Sequence, residues 1–493
     1  MNLKTIFALA LVAATIAAAV YFWSVPQDRL AESNMLSNDS LVEAKTHALC
    51  QDCNVILVVI DTARADHFGA YGYPRNTTPN IDQLADGGFV FENAYTVRGS
   101  TWPSMTTMLT SKYPTSTGVR RAADVSGKKF TTLADVMNDS GYSTAGFISR
   151  NFCSSGQWGF EHKYCSHGKG GDGDLTKKAL GWVSERKGEK FLALVHYFAP
   201  HSPYKPVQET DLFTDSNYTG GITGERKLTN KITKEKIQLS EADVNNVVSL
   251  YDGEIYSVDI LVGRLMEGVR RLGIADKTVF VVTADHGEEL HQRTIYFYHD
   301  CSIYDTALHI PFIINIPNVR GDRITTVAEN TDFTPTILDV VGAMRLYGAE
   351  GKSMANEMAA GSPDGATRYA YSERYVPGGS VFRDGACVKD RKAVGGTIMS
   401  VTDGRWRYIY NPSNVSPSCS CLPRGLDYIV STEELYDMSS DVSETRNVAS
   451  DNMDLADSLR TRLTDKYAKP AVKGLRIRNK TVIRELESLG YIV

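Results

Sequence analysis

Three short apolar runs end in residues that can hold a metal or move a proton. "NVILVVI" (54–60) is followed by Asp61, and "KTVFVVTA" (277–284) by Asp285 and His286. "KFLALVHYF" (190–198) contains His196 and leads to His201. Two carboxylates and an imidazole suit a divalent cation such as calcium, manganese or zinc. A further group stands in "RGSTWPSMTTMLTSKYP" (98–114), where Ser100 and Thr101 precede Pro103 at the mouth of a helix. Pro103 suits the first helical position, because an N–H would be unpaired there anyway. The other N–H groups of that turn can cradle an anion, whereas the plainer reading makes Ser100 or Thr101 a helix cap. Beside a dication the Thr101 hydroxyl would lose its proton more readily and act as a nucleophile. The helix N-terminus would then face the charge developing on a tetrahedral sulfate or phosphate ester.

These residues can meet only if their strands are neighbours. Each run is short, continuous and rich in branched residues, as expected of a strand buried on both faces of a parallel sheet. "FTTLADVMNDSGYSTAGFIS" (130–149) predicts a helix and then a strand, and residues 239–273 carry apolar positions at helical spacing. "IPFIINIP" (310–317) adds a further strand. The alternation predicts an α/β fold, with a mostly parallel sheet covered by helices on both faces. Ligands of such sheets bind beyond the carboxyl ends of the strands, where Asp61, Asp285 and His286 fall. After about residue 345 the pattern shortens to "GRWRYIYNP" (404–412) and "EELYDMS" (433–439), predicting a small C-terminal α+β subdomain with a helical tail. The expected division is 1–26 as signal peptide or signal anchor, 27–52 as linker, 53–345 as catalytic domain and 346–493 as C-terminal subdomain and tail.

A net charge of −5 over 493 residues leaves no basic footprint for nucleic acid. Lys4 and the apolar stretch 6–23 form either a cleaved signal peptide or an uncleaved single membrane anchor. Ala17–Ala19 suit a cleavage site, while Tyr21, Phe22 and Trp23 suit an interfacial belt. Either way the body is exported, to the periplasm or outside the cell. Eight cysteines agree with this and predict structural disulfides, with Cys50/Cys53 and Cys419/Cys421 as tight pairs and Cys153 able to reach Cys165. Cys301 and Cys387 remain, and spacing alone does not fix the connectivity.

The order of the motifs from residue 54 onward resembles the sulfatase family of the alkaline phosphatase superfamily. "NVILVVIDTARADHFGAYGYPRNTTPNIDQLADGGFVFENAYT" is similar to the family's first block. "TWPSMTTMLTSKYP" occupies the place of its nucleophile motif. "FAPHSPY", "YDGEIYSVDILVGRL", "VVTADHGEE", "YDTALHIPFIINIPN" and "TDFTPTILDVVGA" follow in the family's order. The resemblance implies an alkaline-phosphatase-like α/β fold and an ester hydrolase. It also implies one divalent metal on Asp61, Thr101, Asp285 and His286, and histidines at His201 and His299 that bind the transferred group or protonate the leaving oxygen. A small molecule, glycan or lipid headgroup ester would be the substrate.

Four departures bear on the chemistry. The family oxidises a Cys or Ser to formylglycine at the position held here by Thr101. The methyl on the Thr101 β-carbon prevents the same oxidation from giving an aldehyde, so no formylglycine is expected. Met105 replaces the motif arginine, "AGFISRN" replaces the usual lysine- and histidine-bearing segment, and Asp61-Thr62 replaces a pair of aspartates. Lys128, Lys129, Arg150 and Asn151 are candidates to replace the missing cations. The departures resemble the superfamily's phosphodiesterases and phosphoglycerol or phosphoethanolamine transferases, which use a covalent phosphothreonine. The expectation is therefore a metal-dependent hydrolase with Thr101 as nucleophile, inclined to phosphoryl substrates. A transferase and a catalytically silent binding protein on the same scaffold are the alternatives.

Overall fold

The structure is a computed structural model and describes residues 48–476, apart from 122–123, 150–157, 167–170, 226–227, 229–230, 233–236, 293–296, 301, 361–366, 377, 379, 384–385, 390–394, 415–430, 469–470 and 473–474. The apolar stretch 6–23, Arg150 and Asn151 lie outside the described residues. So do Cys153, Cys301, Cys419 and Cys421. No helix among the described residues is long and apolar enough to cross a membrane.

Eight strands form the main sheet. In chain order they are β1 (Asn54–Ile60), β2 (Phe89–Phe91), β3 (Ser143–Ile148), β4 (His162–Cys165), β5 (Phe191–Tyr197), β6 (Thr278–Ala284), β7 (Phe312–Asn315) and β8 (Arg323–Ile324). Their spatial order is β8-β2-β7-β6-β1-β5-β3-β4. β7 pairs antiparallel with both β6 and β2, and the other pairings are parallel. Every residue of β1, β5 and β6 is buried, which explains why these runs carry no polar alternation. The "IPFIINIP" strand is thus the one that runs against its neighbours, as the edge-ward half of a mostly parallel sheet permits.

Helices α1 (Pro79–Gly87), α4 (Gly171–Glu185) and α5 (Glu241–Arg271) pack together against the sheet. Helices α2 (Thr101–Thr110), α3 (Leu133–Asp139) and α6 (Phe333–Val341) form a separate packed group. The long α5 opens on a capping box in which Ser240 and Asp243 bond reciprocally. It buries Val247, Tyr251, Ile255, Val258, Val262, Leu265 and Val269, a stripe at spacings of three and four. The C-terminal subdomain is a four-stranded antiparallel sheet of β9 (Ala370–Val376), β10 (Gly396–Thr402), β11 (Trp406–Tyr410) and β12 (Glu433–Asp437), backed by α7 (Met453–Lys466). Buried Arg407 reaches from β11 to Asp305, 2.7 Å away, just before β7.

Cys50 and Cys53 are disulfide-bonded, and Cys165 is likewise oxidised. The N–H groups of Cys50 and Asp52 donate to the carbonyls of Val340 and Val341 at the end of α6. The chain is therefore tied to the body a few residues before β1.

Candidate active site

The parallel pairing of β1 with β6 decides where the carboxylates go. Ile60 pairs with Ala284, so the next residue of each strand, Asp61 and Asp285, emerges at the same edge. His286 follows at once. Ligand atoms from Asp61, Asp285 and His286 all lie within 4.8 Å of one another, and the three side chains are fully buried. His286 Nε2 is 3.4 Å from Asp285 Oδ2 and 3.8 Å from Asp61 Oδ1. Asp285 Oδ1 accepts the N–H groups of Thr62 (3.1 Å) and His286 (2.8 Å). The Oδ2 atoms of Asp61 and Asp285 have no hydrogen-bond partner among the described residues.

Burial, then the charge of Asp285, pushes the Asp61 carboxyl well above the ordinary range. Two buried carboxylates with orphaned oxygens beside an imidazole are costly alone and fit a dication well. The residues present therefore suit the metal that the sequence leads one to expect.

His286 donates from Nδ1 to the Gly287 carbonyl (2.9 Å), which leaves Nε2 as acceptor in the neutral ring. Burial holds its pKa below the ordinary histidine value, with Asp285 opposing the shift and His299 adding to it. Thr101 Oγ1 lies 3.1 Å from this Nε2 and 3.5 Å from Asp61 Oδ1. A Cβ at Gly287 would collide with the Thr306 carbonyl oxygen, so close backbone approach confines this position to glycine.

The helix mouth differs in detail from the expectation. Thr101 is the first residue of α2 and Ser100 is its N-cap, in extended conformation and without a side-chain capping bond. Pro103 accordingly sits third in the first turn, a position whose N–H would also lack an intrahelical partner. Neither Ser100 nor Thr101 is a side-chain cap of this helix. Ser104, one residue on, donates to the Asp285 carbonyl at 2.5 Å and locks α2 to the end of β6. Met105 is fully buried in the main hydrophobic core, so the position of the motif arginine points away from polar chemistry.

His201 and His299 join the site as a chain of rings. The His286 and His299 centroids are 4.4 Å apart, and those of His299 and His201 are 5.2 Å apart. His201 donates from Nδ1 to the Ser202 carbonyl (2.9 Å), and His299 from Nδ1 to Glu288 Oε1 (3.1 Å). His196, inside β5, is paired through Nδ1 with Ser149 Oγ at 3.1 Å. Burial lowers its pKa to about 4, so it is a neutral core histidine. Lys128 and Lys129 are exposed, and Lys129 faces Asp135.

The residues that set these groups in place were not singled out from the sequence. Glu288 holds His299 and accepts the Tyr204 hydroxyl (3.0 Å) through its other oxygen. Its adjacency to His286 in "VVTADHGEE" was the available signal. Tyr251 on α5 carries no such signal. Its hydroxyl donates to the Thr62 carbonyl (2.7 Å) and accepts the Arg64 N–H (3.0 Å). Thr62 has φ 59°, an unusual conformation for a β-branched residue, and its own hydroxyl turns back to the Asp61 carbonyl (2.7 Å). The strained turn lets the Thr62 N–H reach Asp285, so Tyr251 holds one carboxylate through the backbone of the next layer.

Tyr251→Phe is expected to destabilise the fold by about 1–3 kcal/mol, because it strands two buried backbone groups. It should also weaken metal binding, measured by calorimetric titration of the purified metal-free protein.

The Sulfatase family model matches residues 53–343. The chain belongs to the sulfatase family. This sulfatase-family chain is 21% identical over 505 residues to arylsulfatase K of Bos taurus, covering 89% of this chain and 86% of that one. It is 22% identical over 382 residues to an N-acetylglucosamine-6-O-sulfatase of Bacteroides thetaiotaomicron, covering 59% of this chain and 68% of that one. Among solved structures it resembles the phosphonate monoester hydrolase of Agrobacterium radiobacter with a TM-score of 0.65 at 18% identity, over 84% of this chain and 95% of that one. Sulfatases and a phosphonate hydrolase thus share the fold, that of the ester hydrolases of the alkaline phosphatase superfamily.

Proposed function

We propose that the protein is an exported, metal-dependent ester hydrolase in which Thr101 is the covalent nucleophile and phosphoryl esters are the preferred substrates. The observation that carries this reading is the Thr101 hydroxyl, set at the first position of α2 within 3.5 Å of two acceptors of the Asp61–Asp285–His286 group. A divalent cation bound by those three residues would supply Lewis acidity to the Thr101 hydroxyl and to the anionic ester. Calcium and manganese suit the carboxylates, and zinc the imidazole.

Thr101 Oγ1 attacks phosphorus as its proton passes to Asp61 Oδ1, the P–O bond to the organic group breaks, and the departing oxygen takes a proton from Nε2 of the doubly protonated His201 or His299. Water then attacks the same phosphorus, giving a proton back to that imidazole, and the phosphorus–Oγ1 bond breaks as Asp61 returns its proton, releasing the phosphate product and restoring the Thr101 hydroxyl. The N-terminus of α2 and the His201–His299 pair lie where charge accumulates on the transferred group. This sequence needs only substitution at phosphorus, which a plain alkoxide supports twice. Release of sulfate in the family's usual manner needs a second hydroxyl on the nucleophile's carbon, and Thr101 has a methyl there. The leaning to phosphorus rests on that atom.

We assign residues 1–26 to export or anchoring and 27–52 to a connecting segment, with the catalytic domain over 53–345 and the remainder as a subdomain.

Peptide mass analysis after incubation with aryl phosphodiesters and aryl sulfates tests the reading. A phosphoryl group on Thr101 that keeps the diester's second substituent is the expected product. Turnover of aryl sulfate with Thr101 never modified would overturn it. The pH profile of stability supplies a second test. In the metal-free protein His286 takes up a proton only below its ordinary pKa of 6.5. The unfolded chain binds that proton at higher pH than the folded one, so stability should decline on the acid side of that value.

A further inference from the structure

A cavity of about 570 Å³ opens against the reactive end of the sheet. It lies among the first turn of α4, the segment that follows β5, and one face of α5. His201 forms part of its wall, and the same imidazole faces His299 on the reactive side. Asp172, another wall residue, is near enough for its charge to act on Asp61. The volume is that of a pocket for a small organic group.

The lining is more apolar than polar. Phe198, Pro203, Val258 and Leu261 supply its apolar part. Among the described residues its charged groups are three carboxylates, Asp172, Glu209 and Glu254, against two cations, Lys205 and Arg264. Asp172 accepts the N–H groups of Phe198 and Ala199, and Lys205 is ion-paired with Glu225. Glu254 accepts the Lys205 N–H at 2.7 Å. Burial pushes the Glu254 carboxyl up to about 7, so near neutral pH it carries a proton part of the time and presents a neutral hydrogen-bonding group. Above that pH Glu254 is ionised, and an anionic substituent entering this space would meet three carboxylates against two cations among the described residues, while an aromatic or alkyl group would exchange water for apolar walls.

We propose that this cavity receives the organic side of the ester and selects an uncharged, largely apolar group, an aryl or alkyl alcohol, over one bearing further sulfates or carboxylates. The inference rests on the reading that esters are cleaved at Thr101. In that geometry the leaving oxygen lies on the His201 side and its carbon skeleton extends past that ring into the cavity. His201 then contributes twice, as proton donor to the oxygen and as a wall of the pocket that grips the group attached to it.

The test uses the full metal-loaded chain and three phosphate esters: phenyl, 2-naphthyl, and 2-naphthyl carrying a carboxylate on its distal ring. The plain naphthyl ester should exceed the phenyl ester in kcat/KM by about tenfold, and the carboxylated one should lose that gain. Leu261→Trp, which fills the cavity from α5, should abolish the naphthyl advantage, lowering naphthyl turnover about tenfold more than phenyl turnover. Glu209→Lys, on the exposed rim, tests charge without touching the core and should raise the carboxylated ester relative to the plain one by about tenfold. A naphthyl-to-phenyl ratio unchanged by Leu261→Trp, or a carboxylated ester unaffected by Glu209→Lys, would overturn the proposal. Equilibrium dialysis of 2-naphthol separates this outcome from failure of the hydrolase reading. Binding about tenfold tighter to the native chain than to Leu261→Trp, with no ester turned over, would uphold the cavity and overturn the catalytic assignment. Turnover with equal naphthol binding would do the reverse.

Discussion

Thr101→Ala is expected to lower kcat by roughly 10⁴-fold or more for every ester the native protein cleaves. The substitution removes one oxygen and leaves the Asp61–Asp285–His286 group intact, so metal affinity should change far less than turnover. The helix should also persist, because Ser100 rather than Thr101 is its N-cap. Thr101→Ser provides the matched control. It keeps the oxygen near His286 Nε2 and deletes only the methyl, so substantial turnover should remain. Burst kinetics with a chromogenic aryl ester would report the covalent step in the native protein and in the serine variant, and no burst in the alanine variant. Activity surviving in Thr101→Ala would return the residue to an ordinary helix-opening position.

Asp61→Asn is expected to move stability in opposite directions with and without metal. In the metal-free protein two buried carboxylates face each other, and Asp61 Oδ2 and Asp285 Oδ2 lack hydrogen-bond partners among the described residues. Removing one negative charge relieves both burial and repulsion, the two largest influences on Asp61. The metal-free variant should therefore unfold at a higher temperature than the native chain at pH 8, by on the order of 1–3 kcal/mol in stability. Metal at about 100 times its Kd stabilises a native protein by ~2.7 kcal/mol, and the variant should lose most of that gain. Differential scanning calorimetry with and without calcium or manganese reads both halves. An unchanged metal-dependent shift would remove Asp61 from the ligand set.

The parts of this site that were legible in the sequence are those carried by strand ends. An uninterrupted buried run must stop where it leaves the sheet, and a carboxylate at that point is visible in one dimension. Asp61, Asp285 and His286 were found this way, and their strands are neighbours in the observed order. Thr101 was singled out by its place before Trp102 and Pro103, and the structure sets its hydroxyl beside His286, although the helix begins two residues earlier than Pro103 suggests. A proline is acceptable anywhere in a first turn, so it marks a helix start only to within that turn.

Residues that act through a neighbour stayed hidden. Tyr251 occupies one more apolar-looking position on the buried stripe of α5, and nothing in its spacing separates a tyrosine that packs from one that bonds Thr62. The left-handed turn at Thr62 is equally silent, since a β-branched residue is among the least expected there. The charge balance of the cavity is hidden for another reason. Asp172, Glu209 and the α5 residues Glu254 and Arg264 come from three separate parts of the chain and share a space only after folding.

The pairing of Ile60 with Ala284 also fixes when the metal can matter. Asp61 is among the first folded residues to leave the ribosome, but its partners are synthesised more than two hundred residues later. β1 stays incomplete on one side until β6 arrives, and closing so long a loop is an entropic cost that local contacts cannot meet early. The nascent chain therefore has no cation site until residues 285 and 286 have been made. Metal capture waits on the closing of the sheet between β1 and β6, and the ions present at that moment select the one installed.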